Sequence, residues 1–190
     1  TLRNAVECQR SKSAKIVQYP LGFYRLTFSG GRFDSGFHLH VWPTDIQRSE
    51  GVHTHIFDLR SRIILGQVFD HIWDLCDEGS PTHELFLPEY HGDISTGQRN
   101  ARQKVRAVCT QRRNFSAGER YEIPRGVFHS SGIPADMLTI TLIHKTNIDT
   151  HGMPKILLPL EDEGTVGEPV KEPDQRVAWA AIDHALASIE

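Results

Sequence analysis

Cysteine is scarce in this chain: Cys8, Cys76 and Cys109 stand far apart in 190 residues. An odd number at such spacings excludes a closed disulfide framework and any C-x-x-C zinc site. The thiols are expected to stay reduced, in the cytoplasm. Long apolar runs are missing too. The longest are under half of what a bilayer crossing needs, and the first residues form no signal-like hydrophobic segment. A soluble chain with no membrane partner is expected. Nor does one sign of charge dominate: 21 Lys plus Arg face 24 Asp plus Glu, and no lysine-rich run is present to neutralise a series of phosphates. Nucleic acid is therefore not an expected partner. No internal repeat is visible, and an apolar content of 38% with mixed charges excludes extended disorder.

What is present is a chain of single-domain length whose middle reads as sheet. From Lys15 to Ile143, β-branched and aromatic residues recur with period two between Gly and Pro punctuation. Strands are predicted over 16–19, 23–28, 36–42, 53–58, 61–73, 84–88, 105–112, 121–123 and 137–143. Turns are expected at Ser29-Gly30-Gly31, 77–81 and Gly132-Ile133-Pro134. So many short strands suit an all-β barrel or sandwich. The polar stretch 90–102 reads as a loop or rim, and 160–173, rich in Glu, Asp, Gly and Pro, as an extended linker. Only the far C-terminus reads as helix. Asp174 is a plausible N-cap, and Trp179, Ile182, Leu186 and Ile189 make one apolar stripe, which suits packing on the outside of a sheet. The expected division is a barrel over 1–160, then linker and helix over 161–190.

Histidine is abundant, with 11 residues, several alternating with apolar ones. In the block Gly51-Val52-His53-Thr54-His55, residues two apart on a strand face the same side, so two imidazoles become neighbours able to chelate a divalent ion. Such pairs also occur on exposed faces, and His38-Leu39-His40 is a second one with a weaker claim on metal. In a second block, Gly118, Pro124, Gly126 and His129 follow at spacings of six, two and three. Pro and Gly there fix a tight turn that delivers His129 to a definite place on the next strand.

Together the blocks resemble the paired signature of the cupin superfamily, G, H-x-H and a closing G at Gly66, then G-x5-P-x-G-x2-H. The resemblance implies a double-stranded β-helix barrel in which His53, His55 and His129 converge on one metal. It also allows a homodimer, since cupins often pair through barrel edges. Most metal-binding cupins have a glutamate four residues after the second histidine, where this chain has Leu59. Asp58 is one residue off and should face the other way unless a bulge turns it, leaving it a structural acid paired with Arg60 or Arg62.

An all-imidazole triad resembles that of cysteine dioxygenase and its thiol dioxygenase relatives, and of three-histidine dioxygenases that cleave carbon–carbon bonds. Tyr24-Arg25 lies where the thiol enzymes carry the arginine that holds the substrate carboxylate, and an exposed strand arginine is the competing account. His144 follows His129 by 15 residues, as does a catalytic histidine of that family, and could hydrogen-bond a substrate carboxylate or hydroxyl; a solvent-facing histidine is the alternative. That family's tyrosine and serine are here Thr146 and Leu142, and no cysteine lies near Leu59 to form its crosslink. Tyr121, Arg125, Trp42 and Phe57 could line a pocket, though aromatic residues in a barrel are usually core.

The implied activity is a mononuclear iron(II) dioxygenase acting on dioxygen and a small anionic substrate that chelates the metal. Two alternatives share the scaffold. The ion, as Mn, Ni, Cu or Zn, could serve as Lewis acid in an isomerase, lyase or hydrolase. A non-enzymatic cupin binding a small ligand is the other.

Overall fold

A computed structural model describes residues 1–29, 36–46, 51–91, 94–160 and 170–189, with the backbone alone at 88–91 and 94–102. In chain order the elements are α1 (Leu2–Ser11), β1 (Ile16–Tyr19), β2 (Phe23–Thr27), β3 (Phe37–Trp42), β4 (Val52–His53), β5 (Asp58–Leu65), β6 (Gln67–Cys76), β7 (His83–His91), β8 (Ile94–Ser116), β9 (Arg120–Ile123), β10 (Phe128–Gly132), β11 (Thr139–Thr146), β12 (Ile156–Pro159) and α2 (Gln175–Ala187). One antiparallel sheet runs β1-β2-β3-β11-β5-β9, and β10-β4-β12-β7-β8-β6 close into a barrel. This is the all-β fold with a barrel and a C-terminal helix that the sequence predicts.

Strand alternation splits the side chains of the first sheet into two cores. On the face toward the second sheet, Phe23, Trp42, Ile63, Tyr121 and Ile143 bury against Val68 and Ile133. On the other face, Leu26, Leu39, Val41 and Ile140 meet Val6 of α1 and Ala178, Ile182 and Leu186 of α2. Full burial of each such aliphatic side chain is worth about 1.5–3 kcal/mol relative to exposure. The helices therefore cap the first sheet on the outside and leave the space between the sheets to the site.

Helix α2 begins as expected, with the Asp174 carboxylate accepting from the Arg176 N–H at 2.8 Å. Ile182 and Leu186 are buried, whereas Ile189 lies past the helix end and is exposed. A second helix was not expected. Helix α1 carries too few apolar residues for a legible stripe, and docking decides it instead. Val6 is fully buried, and the Gln9 side chain both donates to the Ser29 carbonyl (3.0 Å) and accepts from its N–H (3.1 Å).

Other boundaries differ from the expectation for identifiable reasons. The predicted strand 61–73 is cut at Gly66, whose φ of +78° turns the chain from β5 into β6; a Cβ there would collide with Thr139 and the Leu138 carbonyl. Of the stretch 90–102, expected as a loop, residues 90–91 and 94–102 are instead backbone of β7 and β8, where ladder hydrogen bonds take the place of apolar content. Strands β10 and β12 were not separately expected. The linker's residues 161–169 and the turn's Gly30 and Gly31 lie outside the described residues; at the linker's end, Lys171 exchanges backbone hydrogen bonds of 2.9 Å with Gln18. The three cysteines are free. Among the described residues no helix is long and apolar enough to cross a membrane.

Candidate metal centre

The two histidine blocks meet through β4 and β10, which pair antiparallel with His53 directly opposite His129. Strand β4 is only two residues long, so alternation within a strand does not place His55, contrary to the expected strand 53–58. Hydrogen bonds beyond the strand do. The Thr54 N–H donates to the Lys155 carbonyl at 2.8 Å, and the Lys155 N–H donates to the Thr54 hydroxyl at 2.9 Å. The His55 carbonyl accepts from the Gly126 N–H at 3.0 Å, so the Pro-Gly turn of the second block grips the first. Gly126 can occupy that turn because its φ is +80°.

As a result the three rings surround one point. Centroid separations are 4.8 Å for His53–His55, 4.7 Å for His53–His129 and 4.9 Å for His55–His129. Among the described residues, these three offer ligand atoms that all lie within 4.8 Å of one another. Nδ1 of His53 lies 2.9 Å from the Gly51 carbonyl, and Nδ1 of His129 lies 3.0 Å from Oδ1 of Asp70. Each Nδ1 must then carry the hydrogen, which leaves Nε2 as a bare lone pair. Nε2 of His129 sits 3.0 Å from Nε2 of His55. That is close to the separation of two imidazole nitrogens bound at a right angle to one ion about 2.1 Å from each. The donor set therefore fits a divalent metal.

Behind His129 stands a network that sequence reasoning missed. Asp70 is completely buried on β6 and takes hydrogen bonds from His129, from the Ser131 hydroxyl (3.0 Å) and from Arg113, whose Nε lies 3.0 Å from Oδ2. Burial by itself would raise the Asp70 carboxyl, but the bonds from His129 and Arg113 outweigh it and hold it below its usual range. Tyr121 stands beside the network, with the Arg113 guanidinium 5.9 Å from its ring centre. Its hydroxyl is buried near the Asp70 carboxylate, and burial, with that charge nearby, pushes it up to about 12. A signal was available: Asp70 shares its strand face with the apolar Val68 and Ile72, an arrangement that water-facing carboxylates do not need.

Burial also governs the imidazoles. It is the main cause that pushes His53 down to about 4, with His129 adding to it, and it drives His55 well below the ordinary histidine range. Neutral rings are what metal ligation requires.

The remaining expected residues scatter. Arg25 lies on β2 opposite His40, its guanidinium 4.7 Å over the Tyr19 ring and hydrogen-bonded to the Tyr19 hydroxyl. Arg125 is on the surface: its N–H donates to Asp58 and its guanidinium pairs with Asp149 at 3.4 Å. The structure does not bring His144 to the triad. Alternation puts it on the face of Leu142, away from Ile143, where it stacks on Phe37 at 4.0 Å and lines a groove of about 340 Å³ with Arg60, Arg62 and Arg120. Asp58 does not turn toward the metal point. Its carboxylate accepts from the Arg125 N–H (2.8 Å) and the Asn147 amide (2.6 Å), and Arg60 pairs with Glu122 instead. Leu59, at the position of the missing glutamate, is buried in the core between the sheets.

No protein-family model and no curated protein sequence matches the chain. Among solved structures it is similar to the Drosophila melanogaster CENP-C cupin domain, at 12% identity over 70% of this chain and 75% of that one, with a TM-score of 0.41. It is also similar to an oxalate decarboxylase variant of Bacillus subtilis, at 12% identity over 70% of this chain and 28% of that one, TM-score 0.38. A third likeness is to the hydroquinone 1,2-dioxygenase of Sphingomonas sp. TTNP3 with 4-hydroxybenzoate bound, at 12% identity over 60% of this chain and 61% of that one, TM-score 0.35. All three are remote. What the chain's own geometry defines is a β-barrel protein with a three-histidine cluster, in which His129 is buried and His53 and His55 are half-buried.

Proposed function

We propose that this is a cupin-type mononuclear oxygenase, holding iron(II) on His53, His55 and His129 and acting on a small anionic substrate that chelates the ion. The observation that carries the reading is the convergence of three imidazoles on one point, with no carboxylate in the group among the described residues. A divalent ion on three neutral ligands keeps its full charge and supplies an electrophilic centre with open positions for an anionic chelator and dioxygen.

The chain's residues do the rest. Asp70 and the Gly51 carbonyl hold His129 and His53 with Nε2 presented to the ion. Arg25, carried on the sheet face that packs toward the barrel, orients a substrate carboxylate through its planar fork of donors. Phe23 and Trp42, 4.6 Å apart, keep water from that face.

Elemental analysis of anaerobically purified protein tests the reading, followed by oxygen-electrode screening with thiols, diketones and hydroxylated acids. About one ion per chain and substrate-dependent oxygen uptake are expected, both lost in His53→Ala and His129→Ala. Retention of both in either variant overturns the assignment. A nitrogen-only ligand set also favours later divalent metals over iron. Turnover without oxygen would therefore identify an isomerase, lyase or hydrolase that uses Mn, Ni, Cu or Zn as Lewis acid, and absence of metal a non-enzymatic cupin.

A further inference from the structure

The outer face of the first sheet, opposite the one that faces the barrel, holds the groove of about 340 Å³ in which His144 lies. Two rows of side chains cross it. In one, Phe37, His144, Arg60 and Glu122 are register partners on β3, β11, β5 and β9; in the next, Leu142, Arg62 and Arg120 are partners on β11, β5 and β9. Register partners share a face, and Leu142 packs on the core that lies under α1 and α2, so both rows point away from the barrel. Each row therefore passes from apolar or aromatic at its β11 side to charged at its β9 side. The Phe37 and His144 rings stack 4.0 Å apart and 3° from parallel. Arg60 pairs with Glu122 at 3.1 Å, whereas among the described residues no carboxylate lies within ion-pair reach of Arg62 or Arg120.

We infer that this groove binds a small organic phosphate monoester, its phosphate held between Arg62 and Arg120 and its carbon part laid along Leu142 toward the Phe37–His144 stack. Arg62 and Arg120 stand directly opposite each other across the β5–β9 pair. Like charges so placed destabilise an antiparallel pair, and a bound anion turns that cost into attraction. Glu122 neutralises one of the three guanidiniums and leaves two positive charges, which match a phosphate monoester dianion and exceed what a single carboxylate offers. Guanidinium forks offered from two strands suit phosphate oxygens, which take parallel N–H donors. The concentration of positive charge is local, since the chain as a whole carries a net charge of −3. Three arginines are too few to track a nucleic-acid backbone. The volume falls at the small end of the range of about 300–1,000 Å³ that small-molecule sites occupy. The site is separate from the metal centre, which lies on the barrel side of the first sheet.

Calorimetric titration of the full metal-free chain with phenyl phosphate tests the site. Saturable binding is expected, about threefold or more tighter than that of inorganic phosphate, because the phenyl ring covers apolar surface at Leu142 and Phe37. Arg62→Gln and Arg120→Gln should each weaken it about five- to tenfold, the scale of one charge-assisted hydrogen bond lost at an exposed site. Arg176→Gln, which removes an exposed arginine of α2, should change it less than about twofold. Both groove variants should fold, since each removes one member of a like-charge pair, and thermal melting verifies it. His53→Ala should leave the affinity unchanged. Absence of saturable binding, or binding indifferent to Arg62 and Arg120, overturns the proposal, as does binding lost in His53→Ala, which would put the phosphate at the triad. Equal affinity for inorganic phosphate overturns the organic part of the assignment, and tighter binding of a phosphotyrosine pentapeptide than of phenyl phosphate replaces the small ligand with a phosphorylated partner protein.

Discussion

His53 and His129 sit directly opposite each other across the β4–β10 pair, although 75 residues separate them in the chain. One register therefore sets two of the three candidate ligands, and the hydrogen bond from Gly126 to the His55 carbonyl sets the third. A slip of one residue would send one of the paired rings to the opposite face of its sheet.

Asp70 orients His129 through the hydrogen bond to Nδ1, so Asp70→Asn should weaken metal binding by about 10–100-fold. The fold should survive, because the amide keeps the volume and one acceptor. Competition against a metal chelator measures the loss. An unchanged affinity would show that the carboxylate serves only Arg113.

Acid should unfold the protein in part through His38. Burial, with Lys145 and Arg25, pushes its ring down from an ordinary 6.5 to about 3. The unfolded chain then binds the extra proton first, so the stability that this histidine contributes is complete above about 6.5 and is lost as pH falls toward about 3. One such group changes stability by at most about 1.4 kcal/mol per pH unit. Urea midpoints between pH 7 and 4 should fall less steeply for His38→Gln than for wild type; parallel slopes would count against the assignment.

Gly66→Ala should destabilise the chain by about 1–3 kcal/mol or more, since alanine resists a φ of +78° and its methyl group would meet Thr139. Equilibrium urea unfolding measures it. A neutral result would mean that the β5–β6 turn can rebuild without its glycine.

Ile182→Ala, in the middle of α2, should cost about 2–5 kcal/mol through the cavity left against the first sheet. Metal content should stay at the wild-type level, because that core lies on the opposite face from the histidines. Parallel unfolding and metal analysis check both halves.

Much of this molecule was legible from local pattern. Period-two runs bounded by Gly and Pro located most strands, and the Asp174 cap with Ile182 and Leu186 located α2. The three clustered histidines could be named because their two blocks, with glycine and proline at fixed offsets, resemble the cupin signature. Helix α1 and the polar half of the β7–β8 ribbon were not legible. One is held by docking of Val6 and Gln9, the other by ladder hydrogen bonds, and neither writes an apolar period into the residues. His144 was misplaced for a related reason, since spacing along a strand says how far a residue lies from another but not which face it takes.

Sequence alone determined the strand-rich architecture, because periodicity and turn chemistry are local properties, and the resemblance of two short blocks to the cupin signature singled out the histidine triad. Only the tertiary structure decided that Asp70 stands behind His129, and that Asp58 and His144 stay away from the triad. Those are contacts between strands distant in the chain, and they depend on register, twist and facing, which no short window of residues contains.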